Sequence, residues 1–218
     1  MNQFLRRGIL KGPWLVRYRY GAQLASDLRR ILIMVTHRHC RVEFTGAVRL
    51  GPGFSLHIPE RGTLVVGNGV DFRRGFYCEI SGEGRVTIGD GCSFTSNAMI
   101  QCSTSIDIGS RCAFAQSVHI VDGSHRFRDP SRPVMDQGYD FRPISIGDNV
   151  WVASKCTIAA SVGEGTVVGA HSLVSRPLPS YCLAVGTPAT PVEFFDGPAS
   201  SDETCDFSAA RETAWSIS

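Results

Sequence analysis

Charge is scarce in this chain. Asp, Glu, Lys and Arg make up 19% of its 218 residues, and the formal net charge is only +2. With 43% hydrophobic residues alongside, that composition excludes a disordered chain and suits one domain with a full core. Long apolar runs are missing too. The longest candidate, Ile31 to Val35, falls far short of the ~20 residues of a membrane span. No apolar stretch near the N-terminus leads into a small-residue cleavage site, so no secretory signal is expected. The 8 cysteines form no C-x-x-C pair, which removes the zinc-ribbon and thioredoxin readings. Reduced core thiols and a cytoplasmic location are therefore expected. A G-x-S-x-G elbow and a phosphate-binding G-x-x-x-x-G-K-S/T loop are also absent.

The small net charge conceals an asymmetry. Residues 1–41 hold nine basic side chains against one acid, Asp27, and the rest of the chain is acidic. Such a segment suits a solvated helix face, and it is also a candidate for peripheral membrane contact. No recognisable nucleic-acid-binding module accompanies it, so no nucleic-acid partner is expected. Within it, residues 13–36 read as one helix with Leu24, Leu28, Ile31, Leu32 and Val35 on an apolar face.

An internal repeat dominates what is there. Ile88-Gly89-Asp90-Gly91-Cys92-Ser93 is followed by Phe94 and then Ile100, each six residues on. Ile108-Gly109-Ser110-Arg111-Cys112-Ala113, Ile146-Gly147-Asp148-Asn149-Val150-Trp151 and Val162-Gly163-Glu164-Gly165-Thr166-Val167 keep the same rhythm. A weaker copy starts at Val66. Period six fits neither a helix nor a simple alternating strand. It fits a short strand plus a sharp turn, repeated and stacked. The aliphatic at the first position points inward. The position four on is small, as at Cys92, Ala98, Cys112, Cys156, Thr166 and Ser172. Gly or Asn beside the aliphatic is expected to turn the chain with positive φ.

On these motifs the chain resembles the hexapeptide-repeat acyltransferases. The likeness extends from Val66 to Pro191, through Ile144–Ala153, Val168-Gly169-Ala170 and Gly186-Thr187-Pro188-Ala189. These endings look like the galactoside and maltose acetyltransferase and polysaccharide O-acetyltransferase branch. The resemblance implies an all-β fold, a left-handed parallel β-helix solenoid. A basic, partly helical segment (1–41) would precede the repeat domain (42–191), and an irregular tail (192–218) would follow it. It also implies a homotrimer, acetyl-CoA as acyl donor and a sugar or glycan acceptor.

The rhythm breaks between Ile120 and Ile144, leaving a loop at 121–143. Loops this long in a compact repeat are usually functional. In the family the loop reaches a neighbouring subunit and its early His is the general base; His125 matches that position. Transfer of an acetyl group from a thioester to a hydroxyl needs a proton acceptor, and an imidazole supplies one near neutral pH. The thioester already carries a good leaving group, so no covalent Ser or Cys intermediate is required. Asp122 is placed either to orient the imidazole or to form an Asp-Gly turn. Asn97 matches a family Asn at the reaction centre, and it equally suits a left-handed turn. Arg126, Arg128 and Arg142 on the loop suit an anionic sugar or sugar nucleotide. By the resemblance, Trp151, Ser154 and Ala170 would line the pantetheine groove, with Ser175 and Arg176 near the nucleotide end.

The chain departs from the family at three points. Thr190-Pro191 follows the Gly-x-Pro-Ala motif where a Lys or Arg is common. Ile158 and Val162 are four residues apart instead of six. His171 replaces a customary Gly. No metal is expected, since His119 and His125 are six apart and His57 has no matching register. His37, His39 and Cys40 cluster outside the repeat. The competing functions are an amino-sugar N-acyltransferase and a non-catalytic binding scaffold.

Overall fold

The computed structural model describes residues 21–197. The segments 1–20 and 198–218, with the start of the expected 13–36 helix and most of the expected tail, lie outside the described residues.

One helix, α1 (Ala22–Thr36), precedes a stack of short strands. All but two of the strands fall into three sheets, parallel up to one antiparallel pair at the end, that the chain visits in rotation. Arg41–Phe44, Arg49–Leu50 and Ser55–His57 make the first turn, one strand per face. Thr63–Val66, Asp71–Phe72 and Tyr77–Ile80 make the second, paired in register on the first. Stacked residues are 22 apart in the early turns, then 20, and 16 after the interruption. The four-residue corner between Ile158 and Val162 therefore closes within a 16-residue turn. Val162 bridges Ile146 on one side and Leu178 on the other, so the stack stays in register there.

Alternation along each strand builds the core. Ile88, Ile108, Ile146 and Val162 are buried, as are the small partners Cys92, Cys112, Cys156, Thr166 and Ser172. Phe72, Phe94 and Phe114 stack at centroid spacings of 5.1 and 4.6 Å. Rings in such a column contribute about 0.5–1.5 kcal/mol per pair beyond area burial. The described cysteines are all free, and all but Cys40 are buried. Burial, then the neighbouring Asp122 carboxylate, pushes the Cys102 thiol up to about 12. Burial likewise raises Cys78. Cys78 and Cys102 are thus core fillers with little thiolate to act as nucleophiles.

Two expectations are corrected here. The Gly directly after each inward aliphatic does not carry the positive φ. A Cβ at Gly67, Gly89, Gly109, Gly147 or Gly163 would collide with the next turn, so close stacking demands glycine there. Positive φ falls two residues later, at Gly69, Gly91, Arg111, Asn149 and Gly165. The position between them carries a side chain that caps the previous turn. Asp90 accepts from Asn68 N at 2.7 Å, and Asp148 accepts from Ser110 N at 2.7 Å. The second correction concerns the end of the repeat. Cys182–Gly186 pairs antiparallel with Ala189–Phe194, so ordered strand runs past the boundary expected at 191. Pro191 is tolerated because this is an edge strand with a register shift beside it.

Candidate active site

The interruption at 121–143 is a folded arm. Gly123–His125 and Tyr139–Phe141 form an antiparallel hairpin, with His125 opposite Tyr139. Gly123 is required because a Cβ would strike the Phe141 ring. The Gln137 side chain staples the arm's tip. Its Oε1 accepts from Asp129 N at 3.0 Å, and its Nε2 donates to the carbonyls of Asp129 and Arg132 at 2.9 Å each.

His125 sits at the root of this arm, half-buried. Its ring lies 4.2 Å from the Tyr139 ring, centroid to centroid. Its Nδ1 is buried and has no hydrogen-bond partner among the described residues. Buried polar atoms are almost always paired, so a buried, unpartnered ring nitrogen on a residue that lines a cavity marks a candidate functional position. His125 faces a cavity of about 650 Å³ that also touches Arg128, Arg142, Ala159 and Ser175. It also lines a neighbouring one of about 480 Å³ with Glu79, Gln101 and Tyr139.

Asp122 is not placed to orient that imidazole. Its carboxylate is 5% exposed and is committed to the preceding turn. It accepts from Ser103 N at 2.9 Å, from Thr104 N at 2.7 Å and from Thr104 Oγ1 at 2.9 Å. Asp122 therefore fastens the arm to the stack. Its own carbonyl receives Arg142 N at 2.7 Å from the returning strand.

The remaining expected residues divide by position. Ser175 shares the larger cavity with His125, and Arg176 follows it, exposed. Asn97, Ser154 and Ala170 lie at the corner between the second and third faces, and Trp151 projects from the second face. None of these four lines either cavity. Asn97 has φ 59°, and the next turns repeat that conformation at Ser117, Lys155 and His171. The turn reading thus accounts for the Asn97 backbone, and His171 holds the same left-handed conformation, φ 61°, without being glycine. Trp151 is 53% exposed, a large apolar surface left outside the core.

One polar ladder escaped the sequence reading. Glu79 and Gln101 are register partners on the third face, as are Tyr77, Met99 and His119. Tyr77 OH and Gln101 Nε2 both donate to Glu79 Oε2 at 3.2 Å, and His119 Nε2 meets Gln101 Oε1 at 2.8 Å. Counting the repeat turn by turn would have aligned them. Burial lowers the His119 pKa. A lowered folded-state value means the native state prefers the neutral ring. Its contribution to stability is full above the ordinary value of about 6.5 and is lost as pH falls below it. Between about pH 7 and about pH 5, the wild type should lose more urea resistance than His119→Gln. Parallel pH profiles would contradict this.

His37, His39 and Cys40 do not converge on a metal position. His37 Nε2 reaches Leu56 O at 3.2 Å and His39 Nε2 reaches Ile58 O at 2.7 Å, tying the helix end to the first turn. No group of three or more His, Cys, Asp or Glu side chains that could hold a metal occurs among the described residues.

No family model matches the chain. Individual proteins do. "Probable acetyltransferase Rv3034c" of Mycobacterium tuberculosis is 33% identical over 151 residues, covering 68% of this chain and 50% of that one. "Putative lipopolysaccharide biosynthesis O-acetyl transferase WbbJ" of Escherichia coli K12 is 27% identical over 184 residues, covering 78% and 88%. The chain spans about half the length of the first of these curated relatives. Among solved structures, the N-acyltransferase AntD of Bacillus cereus, in complex with dTDP and 3-hydroxybutyryl-CoA, superposes with a TM-score of 0.60 at 19% identity. That match covers 78% of this chain and 87% of AntD. The hexapeptide-repeat acetyltransferase VCA0836 of Vibrio cholerae, complexed with acetyl coenzyme A, gives 0.52 at 23%, covering 71% and 72%. By these likenesses the chain, a three-faced stack with a six-residue rhythm, is similar in sequence to proteins named as acetyltransferases and shares its fold with hexapeptide-repeat acyltransferases.

Proposed function

We propose that the protein transfers an acetyl group from acetyl-CoA to a hydroxyl of a sugar or polysaccharide precursor, in one direct step. The observation that carries this reading is the His125 imidazole, half-buried on a cavity wall with an unpartnered ring nitrogen. The acceptor oxygen attacks the thioester carbonyl carbon while the imidazole takes the hydroxyl proton. The carbon–sulfur bond then breaks, and the imidazolium returns that proton to the departing thiolate. Arg128 and Arg142 on the cavity wall favour an acceptor that carries negative charge. The names of the relatives support acetyl transfer, and that of WbbJ supports a polysaccharide setting.

On one chain, His125 and Ser175 occupy a different corner from Trp151, Ser154, Ala170 and Asn97. A site holding both groups needs a second copy, so we read the active unit as a homotrimer of left-handed β-helices. The exposed Phe127, Met135 and Trp151 side chains suit such a seam. Light scattering should return about three times the 23.7 kDa chain mass; a strict monomer would contradict it. Trp151→Ala should raise the KM for acetyl-CoA several-fold, with a smaller change in kcat.

The test of the reaction is thiol release from acetyl-CoA with a panel of sugar acceptors, with mass spectrometry of the products. A hydroxyl-linked acetyl product supports the reading. An amide product would instead favour the amino-sugar N-acyl transfer that AntD's name suggests. Absence of turnover and of any thermal shift with coenzyme A would favour a non-catalytic scaffold.

A further inference from the structure

Helix α1 docks with its polarity inverted. Its apolar residues Leu24, Leu28, Ile31, Leu32, Met34 and Val35 are each 53–63% exposed. Their spacing puts most of them on one face. The opposite face meets the first turns of the stack through polar groups. Ser26 is fully buried, and its Oγ accepts from Leu50 N at 2.8 Å. Arg29 donates to Leu50 O at 2.7 Å, and the Arg30 guanidinium lies over the Phe44 ring at 5.4 Å. These contacts satisfy backbone groups at the end of the stack. Ile33 is the one large apolar side chain of the helix that is buried.

A monomer rarely leaves so contiguous an apolar patch without a use for it. The charge around it indicates what covers it. Residues 1–20 carry Arg6, Arg7, Lys11, Arg17 and Arg19 with no acid, interspersed with Phe4, Trp14, Tyr18 and Tyr20. Arg38 follows the helix, while Arg41 is paired with Glu43 at 2.8 Å. Basic residues beside aliphatic and aromatic ones suit the interface of an anionic bilayer. Pairing this face with its own copy would bring two strongly positive segments together. The acidic balance of the remaining chain would hold the stack itself off an anionic surface. At 15 residues the helix is too short to span.

We propose that the exposed apolar face of α1 is a peripheral binding surface for anionic lipid bilayers. The apolar face of α1 lies at the headgroup–acyl boundary, and the arginines supply the attraction to lipid phosphates. This proposal is independent of the acyl-transfer reading, because its test reads membrane partition without turnover.

The experiment is sedimentation of the full chain with phosphatidylcholine vesicles, with and without about 30% phosphatidylglycerol. Binding is expected on the anionic vesicles, weak on the neutral ones, and released by about 0.5 M salt. Leu28→Ser/Ile31→Ser/Leu32→Ser should lower partition at least about tenfold, and Leu28→Ser alone several-fold. Because these side chains are already exposed, the circular dichroism spectrum should not change. Failure of the wild type to bind anionic vesicles, or equal binding by the triple variant, would overturn the proposal. A triple variant that loses oligomer mass, with no vesicle binding by the wild type, would assign the face to a second copy and also overturn it.

Discussion

His125→Ala should lower acetyl transfer by about 10²–10⁴ in kcat, with the stack and the oligomer unchanged. The imidazole is half-buried and packs on Tyr139, but it makes no hydrogen bond that the fold needs. Its removal should therefore cost chemistry far more than stability. The check is the rate of thiol release under saturating acetyl-CoA and acceptor, beside the urea midpoint of the same preparation. An equal fall in kcat and kcat/KM for the acceptor marks a group used only in the transition state. Unchanged turnover in a folded variant would remove His125 from the mechanism.

Asp122→Ala should be the most damaging single change to the arm. The carboxylate is nearly sealed from solvent and accepts from both backbone N–H groups of Ser103 and Thr104 and from the Thr104 hydroxyl. Alanine leaves those part-buried donors without a protein acceptor, at a cost of about 1–2 kcal/mol each. A total of about 3–5 kcal/mol is expected, read as a lower urea midpoint at constant slope. Asp122→Asn keeps one acceptor oxygen but sets an amide N–H against these donors. It should lose about half as much. Both variants should also slow turnover, because the arm that carries His125 starts at this anchor. A change within about 0.5 kcal/mol would show that the anchor is dispensable.

The sequence made the stack legible because its core constrains residue type so tightly. Ile108 and Ile146 fill the large inward positions and Cys112 and Cys156 the small ones, and that alternation recurs in phase from turn to turn. The finer roles were less legible. Gly89 and Gly91 sit two residues apart in one motif, yet one serves close approach and the other positive φ. Periodicity alone cannot separate those demands. Helix α1 shows a second limit: an amphipathic pattern defines two faces without saying which one is buried. Here Ser26 and Arg29 hold backbone groups of the first turns, and that favours the polar side. The sequence around Asp122 offers an orienting role toward His125 or an Asp-Gly turn, and neither names the carboxylate's actual partners. The decision came from Ser103 and Thr104, one turn away in space. The Glu79–Gln101–His119 ladder was encoded, but only a count of turn length that changes from 22 to 20 residues brings it into line.

The proposed reaction requires the arm to present an imidazole to the acceptor hydroxyl beside the thioester. The most direct measurement is a crystal structure of the protein with coenzyme A bound. The account predicts the thiol sulfur within direct or one-water reach of the His125 ring, at the cavity that Ser175 shares. Coenzyme bound away from the arm, with the ring turned to open solvent, would contradict it.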